Sequence, residues 1–407
     1  MQSLLVLTPQ VPYPPKQGTA LRNWGLLRSL AEQYKVSLLS FYADDQDAEV
    51  PAILHKLLHQ VALFPQPERH ISDRLRDLVF TRRPDLVLRL KSAPFAAEMK
   101  HWVERYTYDW IVVEGLEMAP YLDQIKPGAT SPKVLFDDHN CEYILQQRAA
   151  RTDWRKPSRW VGALYSSIQW RKLRRYESEV CNAVDTVVCV SEDDALAIKR
   201  IAPGVQPLVI PNGISFDEYA GYKTGITLQQ PAFVFTGTMN FRPNVDGVIW
   251  FAQHVWPMIR QELPDAHFYV VGRHPHPRLN ALAETPGMMI TGGVPETRDY
   301  IHAAAVYVVP LLVGGGTRLK ILESTAMAKA VVATSLGAEG FTRPEQAMIL
   351  ADTPDTFASA CIRLAKDVQE REAWGSRASV FARSYDWANL MPVLMDRLDT
   401  LQHRPPK

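Results

Sequence analysis

Short apolar runs alternate with amphipathic stretches of helical length along most of the chain, the pattern of β-α units built around parallel sheets. In the first half the runs at 4–7, 36–41, 110–113, 134–136, 186–190 and 208–210 predict strands, and helical spacing marks 20–32, 93–105 and 158–180. The second half repeats the scheme. Strands are expected at 232–236, 267–271, 288–290, 306–309, 330–333 and 348–350, and helices at 245–261, 297–302, 319–328 and 354–366. Periodicity lapses over 211–231, where turn formers gather. The last amphipathic stretch, 385–401, repeats Trp387, Leu390, Val393, Leu394 and Leu398 at helical spacing.

The expected fold class is therefore α/β, with two Rossmann-like doubly wound domains facing across a cleft. The first spans 1–210, a linker 211–231 and the second 232–384, and 385–407 forms a closing helix. In such folds ligands bind at the loops past the carboxyl ends of the strands.

Composition narrows the function classes. At 407 residues, with 46% hydrophobic and 22% charged positions, the chain can bury two cores. A net charge of +1 gives no global field for nucleic acid. No apolar run approaches the length of a membrane span, and the first residues lack the basic region of a secretory signal, so a cytoplasmic protein is expected. The four cysteines have neither metal-type spacing nor the density of a disulfide framework, and read as buried thiols.

The segment 306–340 carries the most chemistry. A buried run ends at Pro310, Gly314, Gly315 and Gly316 follow, and Thr317 is the expected N-cap of the next helix. Glycines admit close backbone approach, and a helix N-terminus attracts phosphate. Arg318 and Lys320 stand in that first turn, where cations oppose the helix dipole until an anion binds. Glu323, further along, can accept hydrogen bonds from vicinal hydroxyls. The alternative is a glycine turn with a solvated Arg/Lys/Glu face.

Two more strand–glycine–helix units stand at Gly237 with Arg242 and at Gly18 with Arg22. Together the three suggest a pyrophosphate bound between the domains. His139 follows the strand at 134–136 and so lies at the carboxyl end of the first sheet. It can serve a sugar hydroxyl there as a neutral imidazole, or be a plain loop histidine beside a capping Asp. Asp137, Asp138 and His139 are consecutive and no partner cluster is apparent, so no metal site is expected. The stretch 148–175 holds nine Lys/Arg against Asp153, with Trp154, Trp160 and Trp170 interleaved. It suits an anionic membrane or a lipid-phosphate acceptor, or else a solvated helix face with its tryptophans inward.

These motifs resemble family 4 of the retaining GT-B glycosyltransferases, in particular bacterial polysaccharide and exopolysaccharide sugar transferases. The similarity runs through His139-Asn140, Tyr176-Glu177, Val190-Ser191-Glu192, Ile210-Pro211-Asn212-Gly213-Ile214, Thr236-Gly237, Arg242-Pro243-Asn244 and Gly293-Val294. It is most specific over 314–323. The resemblance implies a metal-independent, cofactor-free enzyme that takes a nucleotide-sugar donor in its second domain. A glycan or lipid-linked acceptor would bind in the first; the membrane reading of 148–175 places the chain peripherally at the inner face of the plasma membrane. By the same resemblance His139 and Glu323 are the catalytic candidates. Gly18, Arg242, Gly315, Gly316, Thr317, Arg318 and Lys320 hold the diphosphate, Glu323, Gly293 and Val294 meet ribose and base, and the closing helix crosses back to the first domain.

Two departures stand out. Gly315 replaces the first of the family's paired glutamates, and Thr238 and Pro243 replace the Arg and Lys usual after the first donor-domain strand. A sugar-nucleotide epimerase of the same fold and a non-catalytic nucleotide-sugar-binding homologue are the alternatives.

Overall fold

The computed structural model describes residues 2–15, 18–43, 49–125, 131–154, 160–313 and 317–402, and all but the side chain of Leu75 within them. The chain divides into two compact units, Met1–Pro211 with Met391–Lys407, and Asn212–Leu390.

The first unit is built on seven parallel strands: β1 (Ser3–Thr8), β2 (Lys35–Tyr42), β3 (Gln60–Pro65), β4 (Trp110–Glu114), β5 (Lys133–Asp138), β6 (Thr186–Cys189) and β7 (Leu208–Val209). Their order is β3-β2-β1-β4-β5-β6-β7. The central strands read as near-continuous apolar runs because helices cover both faces of a parallel sheet; β4, WIVVE, is buried at every position. Strand order reverses between β1 and β4, so the loops after these two strands diverge and leave a crevice at their carboxyl ends.

The second unit holds six parallel strands: β8 (Ala232–Thr236), β9 (His267–Val271), β10 (Met288–Gly292), β11 (Val306–Val309), β12 (Val331–Ala333) and β13 (Ile349–Leu350). Their order is β10-β9-β8-β11-β12-β13, and the reversal falls between β8 and β11. Each unit has its own apolar core, one around Phe41, Phe95 and Trp102, the other around Phe233, Phe251 and Trp256. All four cysteines are buried and free. Among the described residues no helix is long and apolar enough to cross a membrane.

Several features differ from the expectations of the sequence, among them a helix over Val368–Arg383 that was not expected. The edge strand β3 was not expected; its QVALFP run is only half-buried, so its apolar pattern is weak. The segment 211–231 is no bare linker. Ile214, Phe216 and Leu228 sink into the core of the second unit, and the short helix Phe216–Ala220 forms within it. The helix expected over 245–261 is two α-helices, Arg242–Trp250 and Trp256–Glu262, joined by a π-turn at Phe251–Val255. Pro257 lies just past that turn; it has no N–H to donate, and the wider turn accommodates it.

Candidate functional site

In the second unit the loops past β8 and β11 flank the reversal of strand order, where a ligand crevice forms. Gly237 ends β8 and Gly272 ends β9. The two backbones run so close that a Cβ on Gly272 would lie 1.6 Å from the Gly237 carbonyl oxygen. The Gly237 N–H donates to the Val271 carbonyl, and the Gly272 N–H to that of Gly292. No larger residue fits this seam, which packs three strand ends into one rim.

Lys320 reaches this rim from the helix Leu319–Ala326. Its Nζ donates to Asn244 Oδ1 at 3.0 Å and lies 4.0 Å over the Phe235 ring. A Cβ on Gly237 would stand 2.8 Å from that Nζ. Burial, reinforced by the charge of Arg318 and only partly relieved by Glu323, pulls the Lys320 ammonium down to about 7. An amine so placed gains from any anion that enters the crevice. Arg318, the residue before the helix, is partly buried beside it.

Thr317 does not cap this helix. Arg318 occupies the N-cap position without a side-chain capping bond, and Thr317 Oγ1 instead accepts from Asn212 Nδ2 at 2.9 Å. Gly314, Gly315 and Gly316 lie outside the described residues. Glu323 sits on the same helix, and Tyr219 donates its hydroxyl to Glu323 Oε1 at 3.3 Å. Burial raises the Glu323 pKa, though the Tyr219 hydrogen bond and the Lys320 charge oppose the rise. Arg242 opens its helix as expected but pairs with Asp246 at 3.3 Å, which also holds Arg278 at 2.7 Å. Its charge is thereby partly neutralised. Gly293 is exposed just past β10, and Val294 packs partly into the core.

The first unit carries the second group. His139 follows β5 directly, beside Gly115 at the end of β4. Gly115 is left-handed, with φ +83, and a Cβ there would meet His139 Cε1 at 2.9 Å. Burial depresses the His139 pKa against the pull of Asp137, so the ring is neutral at neutral pH. Its Nδ1 is sequestered without a well-formed hydrogen bond among the described residues. Gly18 is exposed at the start of the helix Gly18–Ala31.

Arg22, on that helix, is buried and grips Asp137 through both arms; its Nη1 also donates to the carbonyl of Ile210 at 3.0 Å. Burial acts to raise the Asp137 pKa, but the charge and hydrogen bonds of Arg22 outweigh it and hold the carboxylate ionised. Glu114 lies close by, and burial with the adjacent Asp137 pushes its pKa well up. Glu114, Asp137 and His139 thus form the cluster that the sequence did not reveal, with one ligand atom each within 4.8 Å. Both Asp137 oxygens are engaged by Arg22, so the guanidinium already supplies the cation such a cluster requires.

A second buried set, Asp138, Cys141 and Glu177, supports the loop from below. Glu177 accepts the backbone N–H groups of Glu142 and Tyr143, each at 3.0 Å, and so caps the helix Glu142–Trp154 from another element. Burial raises Asp138 well above the carboxylate range and Glu177 to about 7. Glu114 is the residue that sequence reasoning missed, and Glu177, marked there only as part of the Tyr176-Glu177 motif, was given no role. Their polar side chains lie within apolar surroundings, on a buried strand and mid-helix, and that was the available signal.

A family model described as Glycosyltransferase Family 4 matches residues 16–218, and one described as Glycosyl transferases group 1 matches 230–367. An uncharacterized 44.6 kDa protein in the cps region of Klebsiella pneumoniae is 22% identical over 382 residues, covering 90% of this chain and 92% of that protein. Among solved structures, sucrose-phosphate synthase from Thermosynechococcus elongatus superposes with a TM-score of 0.72 at 15% identity, over 98% of this chain and all of that one. Anabaena HepE, in complex with UDP and glucose, gives 0.64 at 14% identity over 98% and 100% of the two chains. WaaG, a glycosyltransferase involved in lipopolysaccharide biosynthesis, gives 0.64 at 15% over the same shares. With two doubly wound parallel-sheet units and family matches that take in most of its length, the chain belongs to the family 4 glycosyltransferases of the GT-B fold.

Proposed function

We propose that this glycosyltransferase takes its sugar from a nucleoside diphosphate sugar and transfers it with retention of anomeric configuration, needing no metal, to a glycan or lipid-linked acceptor in polysaccharide assembly. The observation that carries the reading is the Lys320 ammonium. It is held at the rim of Gly237 and Asn244, where burial has cost it much of its protonation. A diphosphate supplies the missing counter-charge, and the same contact stabilises the diphosphate as it departs. Lys320 and Arg318 take the place that a divalent cation holds in metal-dependent transferases.

Thr317 adds a hydrogen-bond donor, and Arg242 contributes a partly screened charge. Glu323 accepts the ribose hydroxyls in place of the Tyr219 hydroxyl, and Gly293 and Val294 border the base. His139, held neutral, hydrogen-bonds a sugar hydroxyl through Nε2, the ring nitrogen other than the sequestered Nδ1. UDP is the first nucleotide to test, since HepE and the E. coli trehalose-6-phosphate protein were both solved with uridine nucleotides.

Calorimetric titration of the full chain with UDP, GDP and dTDP tests the site, followed by incubation with the matching sugars and NMR of the product anomer. Lys320→Ala should weaken the preferred nucleotide at least tenfold. Glu323→Ala should weaken the nucleotide far more than inorganic diphosphate. Unchanged nucleotide affinity in both variants, or formation of an epimer in place of transfer, would overturn the reading.

A further inference from the structure

Two neighbouring helices of the first unit turn large apolar side chains to solvent. On the helix Ile71–Phe80, Ile71, Val79 and Phe80 are exposed, Phe80 by 81%; on the helix Trp160–Ala183, Trp160, Val161 and Leu164 are exposed, Val161 by 87%. The helices are tied side by side. Arg74 meets the Tyr165 hydroxyl at 3.4 Å, and Lys172 Nζ donates to the carbonyls of Asp77, Leu78 and Thr81. Residue 74 thus lies beside 165 and residue 81 beside 172, so the two run parallel. That register sets Ile71 level with Val161 and Leu164, and Phe80 level with Arg171 and Arg174.

The exposed surface is therefore apolar at one end and mixed apolar and cationic at the other. Arg76, Arg171, Arg174 and Arg175 are all exposed on these two helices. The acids nearby are paired: Arg69 and Arg74 hold Asp77 and Asp85, while at the surface Asp73 and Glu179 partner Arg76 and Arg175, which leaves Arg171 and Arg174 as the cations that count. Arg171 and Arg174 make no ion pair among the described residues. A soluble protein seldom leaves so many large apolar groups exposed together without a partner. Apolar tips rimmed by arginines, with a tryptophan at the edge, match an interface between anionic headgroups and acyl chains.

We propose that the helices Ile71–Phe80 and Trp160–Ala183 together form a docking surface for an anionic lipid bilayer. The apolar tips enter the headgroup boundary and the arginines neutralise lipid phosphates. This goes beyond the basic stretch of 148–175, since half of the apolar contact comes from a helix some eighty residues earlier in the chain. It does not depend on the identity of the donor.

The test is co-sedimentation of the full chain with phosphatidylcholine vesicles, alone or with about one third phosphatidylglycerol. Binding is expected only to the anionic vesicles and should weaken with salt. Arg171→Glu with Arg174→Glu should lower it at least tenfold, and Phe80→Ser with Val161→Ser should lower it comparably. Both pairs are on exposed positions and should leave nucleotide affinity and thermal midpoint unchanged. Equal binding to neutral vesicles, no binding to either, or a dimer in sedimentation that the Phe80→Ser pair dissociates would each overturn the proposal.

Discussion

Arg22 and Asp137 face each other as a two-armed pair, Nε to Oδ2 and Nη2 to Oδ1, each at 2.7 Å, with both side chains 1% exposed. The pair joins the first long helix to the strand that presents His139, two elements far apart in the chain. Arg22→Met would leave Asp137 buried beside Glu114 with no cation. A loss of about 3–5 kcal/mol in urea unfolding is expected, and Asp137→Asn in the same chain should restore part of it. A loss below about 1 kcal/mol, the scale of a surface pair, would show that the pair is not insulated from solvent.

Lys320 makes donor affinity depend on pH in a stated direction. In the free protein its ammonium titrates at about 7. A bound diphosphate favours the charged form, so above that pH binding must take up a proton. Affinity should therefore fall as pH rises past about 7, by up to tenfold per unit. Titration in buffers of different ionisation enthalpy should register the uptake, and Lys320→Gln should abolish it. A flat profile in the wild type would count against the amine as the phosphate contact.

The glycine rim separates recognition from folding. Gly237→Ala sets a methyl against Lys320 Nζ and Asn244 Nδ2, two side-chain atoms that can yield. Nucleotide affinity should fall about tenfold or more; the φ of +159 at Gly237 adds some backbone strain, so stability should fall too, but by less than in Gly272→Ala. Gly272→Ala meets the Gly237 carbonyl, which belongs to the backbone and cannot yield. That variant should lose about 1–3 kcal/mol of stability or more. Equal stability of the two variants would mean that the strand ends are not packed as described.

Glu142 gives a stability profile of the opposite kind to an ordinary surface acid. Burial, with Glu117 and Glu177 nearby, lifts its carboxyl to about 8. The folded form holds a proton that the unfolded chain releases near 4.5. Its contribution is therefore complete below that pH and is lost as pH climbs through about 8. Glu142→Gln keeps the neutral form throughout. Relative to wild type it should gain about 1–2 kcal/mol between pH 5 and pH 8 in urea unfolding. No relative gain would place Glu142 in contact with water.

The sequence was most legible where burial is complete. Runs such as WIVVE and VYVV admit no reading but a strand covered on both faces, and the parallel α/β architecture follows from their alternation with helices. It was least legible where a partner distant in sequence decides the role. Thr317 has every local mark of a cap, yet Asn212, more than a hundred positions away, claims its hydroxyl. Glu177 stands in the Tyr176-Glu177 motif, but its role as a cap appears only when folding brings the start of Glu142–Trp154 against it. Lys320 was identified by its place behind a glycine run. Its depressed protonation was not legible, because that depends on burial in the folded unit and on the closeness of Arg318.

The chain leaves its first unit at Pro211 and re-enters it at Met391. Leu394 and Leu398 lie with Leu26, Leu30, Val112 and Leu135 around one small apolar space, and Lys133 and Asp109 bond to Leu401 and Gln402. The N-terminal half is thus unfinished when a ribosome reaches residue 211. It must wait for the last turns of the polypeptide to seal its own interior, so a fragment cut at that point should aggregate, and a frameshift near the end should cripple the beginning.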